Sequence, residues 1–207
     1  MSYSESEMNM MGITNSYWGI CGFTSSFYTM YETNPGKRPL LLGAGIASRV
    51  LAEIKTYLMM LKAEGKTAVL NEIQDFTRSF GKVGKCDFGS FTIDKYIKSI
   101  DSITDKTDAA IKADCRYSIA MPPQAVADYL RRIWNCQVEI QMTSGGSGGS
   151  GDGILGVRKT KTTPYGGLCH YLYRNGGKIY SWGKVFNSVT DANAEYSVCW
   201  FLKITAT

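Results

Sequence analysis

The stretch His170-Tyr-Leu-Tyr-Arg-Asn-Gly-Gly-Lys-Ile-Tyr-Ser-Trp182 decides the fold class of this chain. Aromatic and branched residues flank Asn175-Gly176, a dipeptide typical of the two-residue turn of a β-hairpin. The pattern therefore predicts two antiparallel strands that meet at this turn. With the turn at Asn175-Gly176, Ser181 lies directly opposite His170, and both side chains share one face of the hairpin.

Further strands are predicted around this hairpin, and helices are predicted before it. Strand patterns cover Gln137–Met142, Ile154–Val157 and Ser197–Thr205. Apolar residues at the 3.6-residue period predict four helices, which begin near Ile46, Val69, Thr92 and Pro122. We therefore expect an α+β fold, one domain over residues 1–207, with a helical part at about 12–135 and an antiparallel sheet at about 136–207.

The composition places the chain among globular proteins and excludes several classes of function. Of its 207 residues 44% are hydrophobic and 20% are charged, and the net charge of +5 is spread along the chain, which does not favour nucleic acid as a partner. No apolar run approaches the roughly 18 residues of a membrane span, so no membrane partner is expected. The polar start Met1–Met8 lacks the order of a signal peptide. A cytoplasmic location is predicted, or delivery into a target cell without a signal peptide.

The cysteines favour a reducing compartment and no metal site. The six cysteines are scattered without a CxxC pair, and the chain has one histidine, so we expect mostly reduced thiols and no metal or other cofactor.

One segment has the composition of an engineered linker. Residues 144–151 form an uninterrupted Gly/Ser tract, Ser-Gly-Gly-Ser-Gly-Gly-Ser-Gly, unlike any other part of the chain. A natural low-complexity loop is the alternative. We expect this tract to replace a disordered or proteolysed loop and to contribute nothing to the fold.

The segment Asn15–Met30 contains the best candidate nucleophile, Cys21. Glycines flank the cysteine, and the downstream apolar residues at three- and four-residue steps predict a helix that begins at or next to Cys21. The positive end of a helix dipole favours a thiolate, which is the nucleophilic form. The alternative is that Cys21 is a small buried apolar residue like the other cysteines.

His170 is the only imidazole that could serve Cys21 as a base. Ser181 is the candidate residue to orient this imidazole, because the predicted hairpin places it opposite. Tyr180 and Asn187 are the alternatives for that role, since a slip of one residue in the pairing changes which residue faces His170.

Three short motifs in the right order resemble papain-like cysteine proteases. Gly19-Ile-Cys-Gly-Phe23 is similar to the start of that family's central helix, and His170 follows Cys21 at a typical distance of roughly 150 residues. Ser181-Trp182-Gly183 matches the tripeptide that follows the family's third catalytic residue, although Tyr180 stands where the family has asparagine. Asn15, six positions before Cys21, stands in the place of the glutamine of the oxyanion hole.

The resemblance implies a papain-like fold and a cysteine protease that hydrolyses peptide bonds of a protein substrate. Cys21 would attack the carbonyl carbon, His170 would be its ion-pair partner and proton donor, and Asn15 would stabilise the oxyanion. Trp18 and Trp182 would bind substrate or shield the pair from water. The small size further resembles effector toxins that bacteria deliver through secretion systems, which travel with a cognate immunity protein.

Two other classes of function remain open. The same pair of residues serves amidases of peptidoglycan, deamidases, transglutaminases and acyltransferases. A non-enzymatic α+β binding or immunity protein, with only structural cysteines, is the third possibility.

Overall fold

The computed structural model describes residues 19–104, 106–143, 150–159, 165–181, 184–192 and 197–206, which form a mixed structure of helices and antiparallel sheets. The α+β class expected from the sequence is confirmed at this level. The helices are α1 Cys21–Thr33, α2 Ile46–Ala63, α3 Thr67–Ser79, α4 Ile93–Asp101, α5 Asp108–Lys112, α6 Pro123–Trp134 and α7 Val189–Ala192. The strands are β1 Lys82–Val83, β2 Cys86–Asp87, β3 Cys136–Met142, β4 Gly153–Arg158, β5 Leu168–Asn175, β6 Lys178–Ser181, β7 Lys184–Phe186 and β8 Ser197–Ala206. Short 3₁₀ segments cover Pro35–Leu41, Cys115–Tyr117 and Tyr165–Gly167.

The helices start and stop where local chemistry requires. Thr92 caps α4 by accepting a hydrogen bond from the backbone N–H of Lys95 at 3.2 Å. The prolines Pro122-Pro123 open α6, and Asn135 ends it in the left-handed region at φ 51°. All four helices predicted from the apolar period are present, and α1 begins at Cys21 as predicted.

Six strands form the main sheet in the order β3-β8-β4-β5-β6-β7, and every neighbouring pair is antiparallel. The C-terminal strand β8 therefore lies between β3 and β4. Between β4 and β5, Val157 pairs with His170 and Arg158 with Leu168, which leaves Cys169 as the extra residue of a β-bulge.

The predicted turn of the β5–β6 hairpin is wrong by one residue. The turn is Gly176-Gly177, with φ of 55° and 76°, and Asn175 pairs with Lys178 inside the ladder. Two successive positive φ angles define the type I′ turn, and two glycines adopt them without the steric cost that asparagine would carry. Continued along β6, this register places Ser181 opposite Leu172 instead of His170. Because the shift is two residues, Ser181 keeps the same face of the sheet as His170.

The two faces of the sheet bury two separate apolar clusters. On the helix face, which α1 and α6 cover, Tyr171, Tyr173 and Tyr180 join the large core. On the second face, which α7 borders, Val157, Leu172 and Ile179 pack with Leu155, Val198 and Phe201. Among the described residues, no helix is long and apolar enough to cross a membrane.

A disulfide joins Cys86 to Cys115 and links the β1–β2 hairpin to the 3₁₀ segment Cys115–Tyr117. The scattered cysteine spacing gave no indication of this bond. The other four cysteines are reduced thiols outside any disulfide, as expected for most of the six; they are Cys21, Cys136, Cys169 and Cys199.

Candidate active site

A cavity of about 750 Å³ lies at the N-terminal end of α1, between the helical part and the start of β5. Its lining includes the candidate residues Cys21 and His170 together with Gly19, Ser118 and Cys169. The rest of the wall is mainly apolar and includes Phe80, Val83, Phe88, Ile119 and Ala120. Lys85, in the turn between β1 and β2, contributes a positive charge at the rim.

Cys21 is the first residue of α1, and the close packing around it depends on Gly22. A Cβ atom on Gly22 would lie 3.1 Å from Val126 Cγ2 and 3.3 Å from Met121 Cβ, which is tighter than ordinary van der Waals contact. Glycine at this position lets the N-terminus of α1 approach α6. Close packing therefore explains why a glycine follows Cys21 in the sequence.

Burial keeps the Cys21 thiol protonated at neutral pH in this conformation. It raises the pKa of the thiol to about 11, although hydrogen bonding from the backbone N–H groups of Tyr171 and Gly22 acts in the opposite direction. The helix N-terminus does favour a thiolate, but desolvation of the sulfur outweighs it here. The thiolate expected from the helix position is therefore not the resting form.

His170 and Ser181 form a buried pair. The His170 Nε2 and Ser181 Oγ atoms are 2.9 Å apart, and the residues are 5% and 2% exposed. Burial lowers the pKa of His170 to about 3, so the imidazole is neutral at pH 7.

The two rivals of Ser181 have other surroundings. Tyr180 lies on the helix face, where its ring meets those of Tyr28 and Tyr173. Asn187 accepts a hydrogen bond from Lys178 Nζ at 2.6 Å. Of the three candidates, Ser181 is the one whose hydrogen bond with His170 the structure shows.

Cys21 and His170 line the same cavity, but their side chains do not form a hydrogen bond with each other. Within residues 19–104 and 165–181, which contain both, no hydrogen bond joins the Cys21 thiol to the His170 ring. His170 pairs with Val157, whose side chain belongs to the second face, whereas α1 lies on the helix face. Strand alternation therefore directs the imidazole toward the face opposite α1.

Cys169, the neighbour of His170, occupies the β-bulge. Its sulfur lies 3.4 Å from the carbonyl oxygen of Val157 in the adjacent strand. It also lies close enough to Cys21 to raise the pKa of that thiol, a smaller effect than burial. Two thiols therefore border the cavity, and Cys21 is the one at a helix N-terminus.

Three predicted site residues, Asn15, Trp18 and Trp182, lie outside the described residues. One residue that the sequence did not indicate, Ser118, lines the cavity with a buried hydroxyl. Its neighbours Tyr117 and Ile119 form no recognisable motif, so only the three-dimensional structure identifies it.

The described part of the chain contains no group of three or more His, Cys, Asp or Glu residues that could hold a metal ion. No family model matches this chain, and no curated protein or solved structure is significantly similar to it.

Proposed function

We propose that this protein is a papain-like cysteine hydrolase that cleaves peptide bonds of a protein substrate, with Cys21 as the nucleophile. The observation that carries the proposal is the position of Cys21, at the first turn of a helix and on the wall of a cavity that the only histidine of the chain also lines. An effector toxin with a cognate immunity protein is the biological setting that the resemblance suggests.

The chemistry consists of two acyl transfers, first to the Cys21 sulfur and then to water, and His170 moves the proton in each. The thiol proton of Cys21 passes to His170, the sulfur bonds to the carbonyl carbon, and the carbonyl oxygen becomes an oxyanion. When the C–N bond breaks, the imidazolium gives its proton to the leaving amine. Water then hydrolyses the thioester with His170 as the base, and Cys21 is regenerated.

This reaction requires a change from the described conformation. Thiol and imidazole are both neutral, and strand alternation directs the imidazole away from α1. The β-bulge at Cys169 offers a route, because a bulge that moves from Cys169 to His170 changes the facing of these two residues and leaves the rest of the strand in register. The proposal therefore includes a resting form, in which Ser181 holds His170, and a reactive form, in which the imidazole turns toward Cys21.

The test combines substitution with a digest of whole-cell protein. Cys21→Ala and His170→Ala should each abolish the appearance of new protein termini, while Cys199→Ala, at a buried free thiol on the helix face of the sheet, should not. Circular dichroism of all three variants controls for folding. Full activity of the Cys21→Ala protein would reject the proposal. New termini in a muropeptide digest instead would identify an amidase.

A second candidate is a non-enzymatic binding protein that holds an apolar ligand in the cavity. The neutral thiol, the neutral imidazole and the mainly apolar wall favour it. Iodoacetamide labelling separates the two candidates. A single fast-reacting thiol at Cys21 near pH 6 supports the hydrolase, because it shows that a reactive form is populated. Slow labelling that rises about tenfold per pH unit up to about pH 11 supports the binding protein.

A further inference from the structure

The hydroxyl of Ser118 is a buried polar group without a partner in the lining of the cavity. Ser118 is 2% exposed, and its Oγ forms no hydrogen bond with any described residue. Leaving a buried hydroxyl unpaired costs free energy, so such groups in folded proteins usually have a partner. The cavity that Ser118 lines, together with Cys21, is the place where a ligand could supply that partner.

Covalent and hydrogen bonds fix the position of Ser118. Its backbone N–H donates to the carbonyl of Cys115 at 3.1 Å, at the end of the 3₁₀ segment Cys115–Tyr117. Cys115 is in turn bonded to Cys86, another residue of the cavity wall. The backbone of Ser118 is therefore anchored at the end of a segment that a disulfide ties to the cavity wall.

The chain that enters α1 passes directly beside this hydroxyl. A Cβ atom on Gly19 would lie 3.1 Å from Ser118 Cβ and 3.3 Å from Ser118 Oγ, and Gly19 has a φ of +55°. Both observations favour glycine at a position two residues before Cys21. The close approach of backbone and hydroxyl is built into the same wall as the thiol.

Neighbouring buried hydroxyls are satisfied within the helix. Thr24 Oγ1 donates to Ile20 O at 3.2 Å, and Ser26 Oγ donates to Gly22 O at 2.8 Å. Ser118 differs from them because it follows a 3₁₀ segment and no helical carbonyl is in reach. Of the buried polar side chains without a partner among the described residues, which also include the Tyr117 hydroxyl, Ser118 is the one that lines the cavity.

We propose that Ser118 donates a hydrogen bond to the carbonyl oxygen of the acyl group that is bound at Cys21. This inference rests on the proposed function. The ligand class is an amide or a peptide, because its carbonyl carbon is the electrophile for a thiol and its oxygen is the acceptor for a hydroxyl. When sulfur bonds to the carbon, the oxygen becomes negative and the hydrogen bond to it becomes stronger. Ser118 is then an oxyanion donor that the sequence did not indicate.

The test compares two alkylating reagents on the full chain at pH 9. Both iodoacetamide and iodomethane alkylate a thiolate with loss of iodide, but only iodoacetamide carries a carbonyl oxygen. Ser118→Ala should slow the labelling of Cys21 by iodoacetamide about 5-fold, the factor expected for one ordinary hydrogen bond, and leave the rate with iodomethane unchanged. Mass spectrometry of the Cys21 peptide gives both rates.

Ser26→Ala is the matched control, because it removes a buried hydroxyl that already has a partner. It should lower the melting temperature and leave the ratio of the two labelling rates unchanged. Ser118→Ala should leave the melting temperature unchanged or raise it, since an unpaired buried hydroxyl is removed. In the active enzyme Ser118→Ala should lower kcat on the order of 10²-fold with little change in KM.

The outcomes separate this inference from the proposed function. A changed ratio of labelling rates in a chain without peptidase activity would keep Ser118 as a carbonyl-binding residue and reject the hydrolase. An unchanged ratio, equal slowing with both reagents, or no labelling of Cys21 by either would overturn the role of Ser118. An active enzyme whose kcat Ser118→Ala leaves intact would overturn it as well.

Discussion

At the scale of single residues, the charge state of His170 is set by tertiary burial. The ring lies on the second face of the sheet, opposite Val157, with Ser181 Oγ at 2.9 Å from Nε2. Burial disfavours the imidazolium and lowers the pKa to about 3, from an ordinary value of about 6.5. The folded protein therefore binds the proton of His170 much more weakly than the unfolded chain does.

This difference predicts a loss of stability in mild acid. Because the folded pKa is depressed, the stabilisation is complete above pH 6.5 and is lost as the pH falls from 6.5 toward 3. Between pH 7.5 and 5.5 the free energy of unfolding should fall by about 1.4 kcal/mol from this residue alone. Urea unfolding at the two pH values measures it. The His170→Gln variant has no imidazole to titrate, so its free energy of unfolding should fall by correspondingly less. Equal decreases in both proteins would contradict the buried neutral imidazole.

For Cys21 and Ser181, the sequence predicted the place in the fold better than the chemical state. The apolar spacing after Cys21 placed that residue at a helix start, and the alternation of the hairpin placed Ser181 on the face of His170 even though the turn was wrong by one residue. The protonation state of the Cys21 thiol depends on atoms that are distant in sequence. The same is true of the Ser118 hydroxyl, which has no hydrogen-bond partner. No local pattern could have indicated them.

At the scale of secondary-structure elements, the β1–β2 hairpin depends on a covalent bond. Its two strands have two residues each and pair with each other, and Val83 is 52% exposed. So short a hairpin is marginal in water. The Cys86–Cys115 disulfide, with a sequence separation of 29, attaches it to the segment that positions Ser118.

Replacing this disulfide should be costly. The double substitution Cys86→Ala, Cys115→Ala should lower the free energy of unfolding by about 3–4 kcal/mol, because a loop of this length gains conformational entropy in the unfolded chain when it is opened. Urea denaturation measures the change. A reductant should destabilise the wild type by a similar amount and leave the double variant unaffected. Equal effects of reductant on both would show that the bond does not contribute.

The number of residues in a helix or strand explains whether the sequence predicted it. Five helices, α1 among them, and five strands of the sheet were predicted, and all but β6 have at least six residues. The four-residue β6 was predicted from the hairpin turn beside it. The strands β1, β2 and β7 and the helices α5 and α7 were not, since elements of two to five residues carry too few positions to show a period. Contacts with the rest of the chain fix them.

At the scale of the whole molecule, the Gly/Ser tract joins two strands that are not neighbours. Strands β3 and β4 both pair antiparallel with β8, so they run parallel to each other on its two sides. Met142, where β3 ends, pairs with Trp200, and Gly153, where β4 begins, pairs with Lys203. From Met142 to Gly153 the chain therefore goes back about 10 Å along the strand direction and about 10 Å across the sheet. The residues between 142 and 153 reach roughly 33 Å when extended, which leaves slack.

Changes in the length of this tract should therefore act asymmetrically. Eight added Gly/Ser residues should cost only about 0.6 kcal/mol or less, because loop entropy grows with the logarithm of length. Removal of six residues should destabilise the protein strongly, since the remaining chain barely spans the distance around β8. The melting temperatures of the lengthened and the shortened variant test this asymmetry. A large loss on lengthening would show that the tract has a structural role of its own.

The central position of β8 also sets an order of events during synthesis. A ribosome delivers Ser197–Ala206 after every other described element, yet this strand separates β3 from β4 and pairs with both. The helices α1 to α6 need only residues before Asn135 and can pack early, because helical contacts are local in sequence. In a partly translated chain β3 has no strand beside it among the described elements, and β4 has one open edge. The sheet is therefore completed late, and the growing chain carries exposed strand edges until β8 arrives.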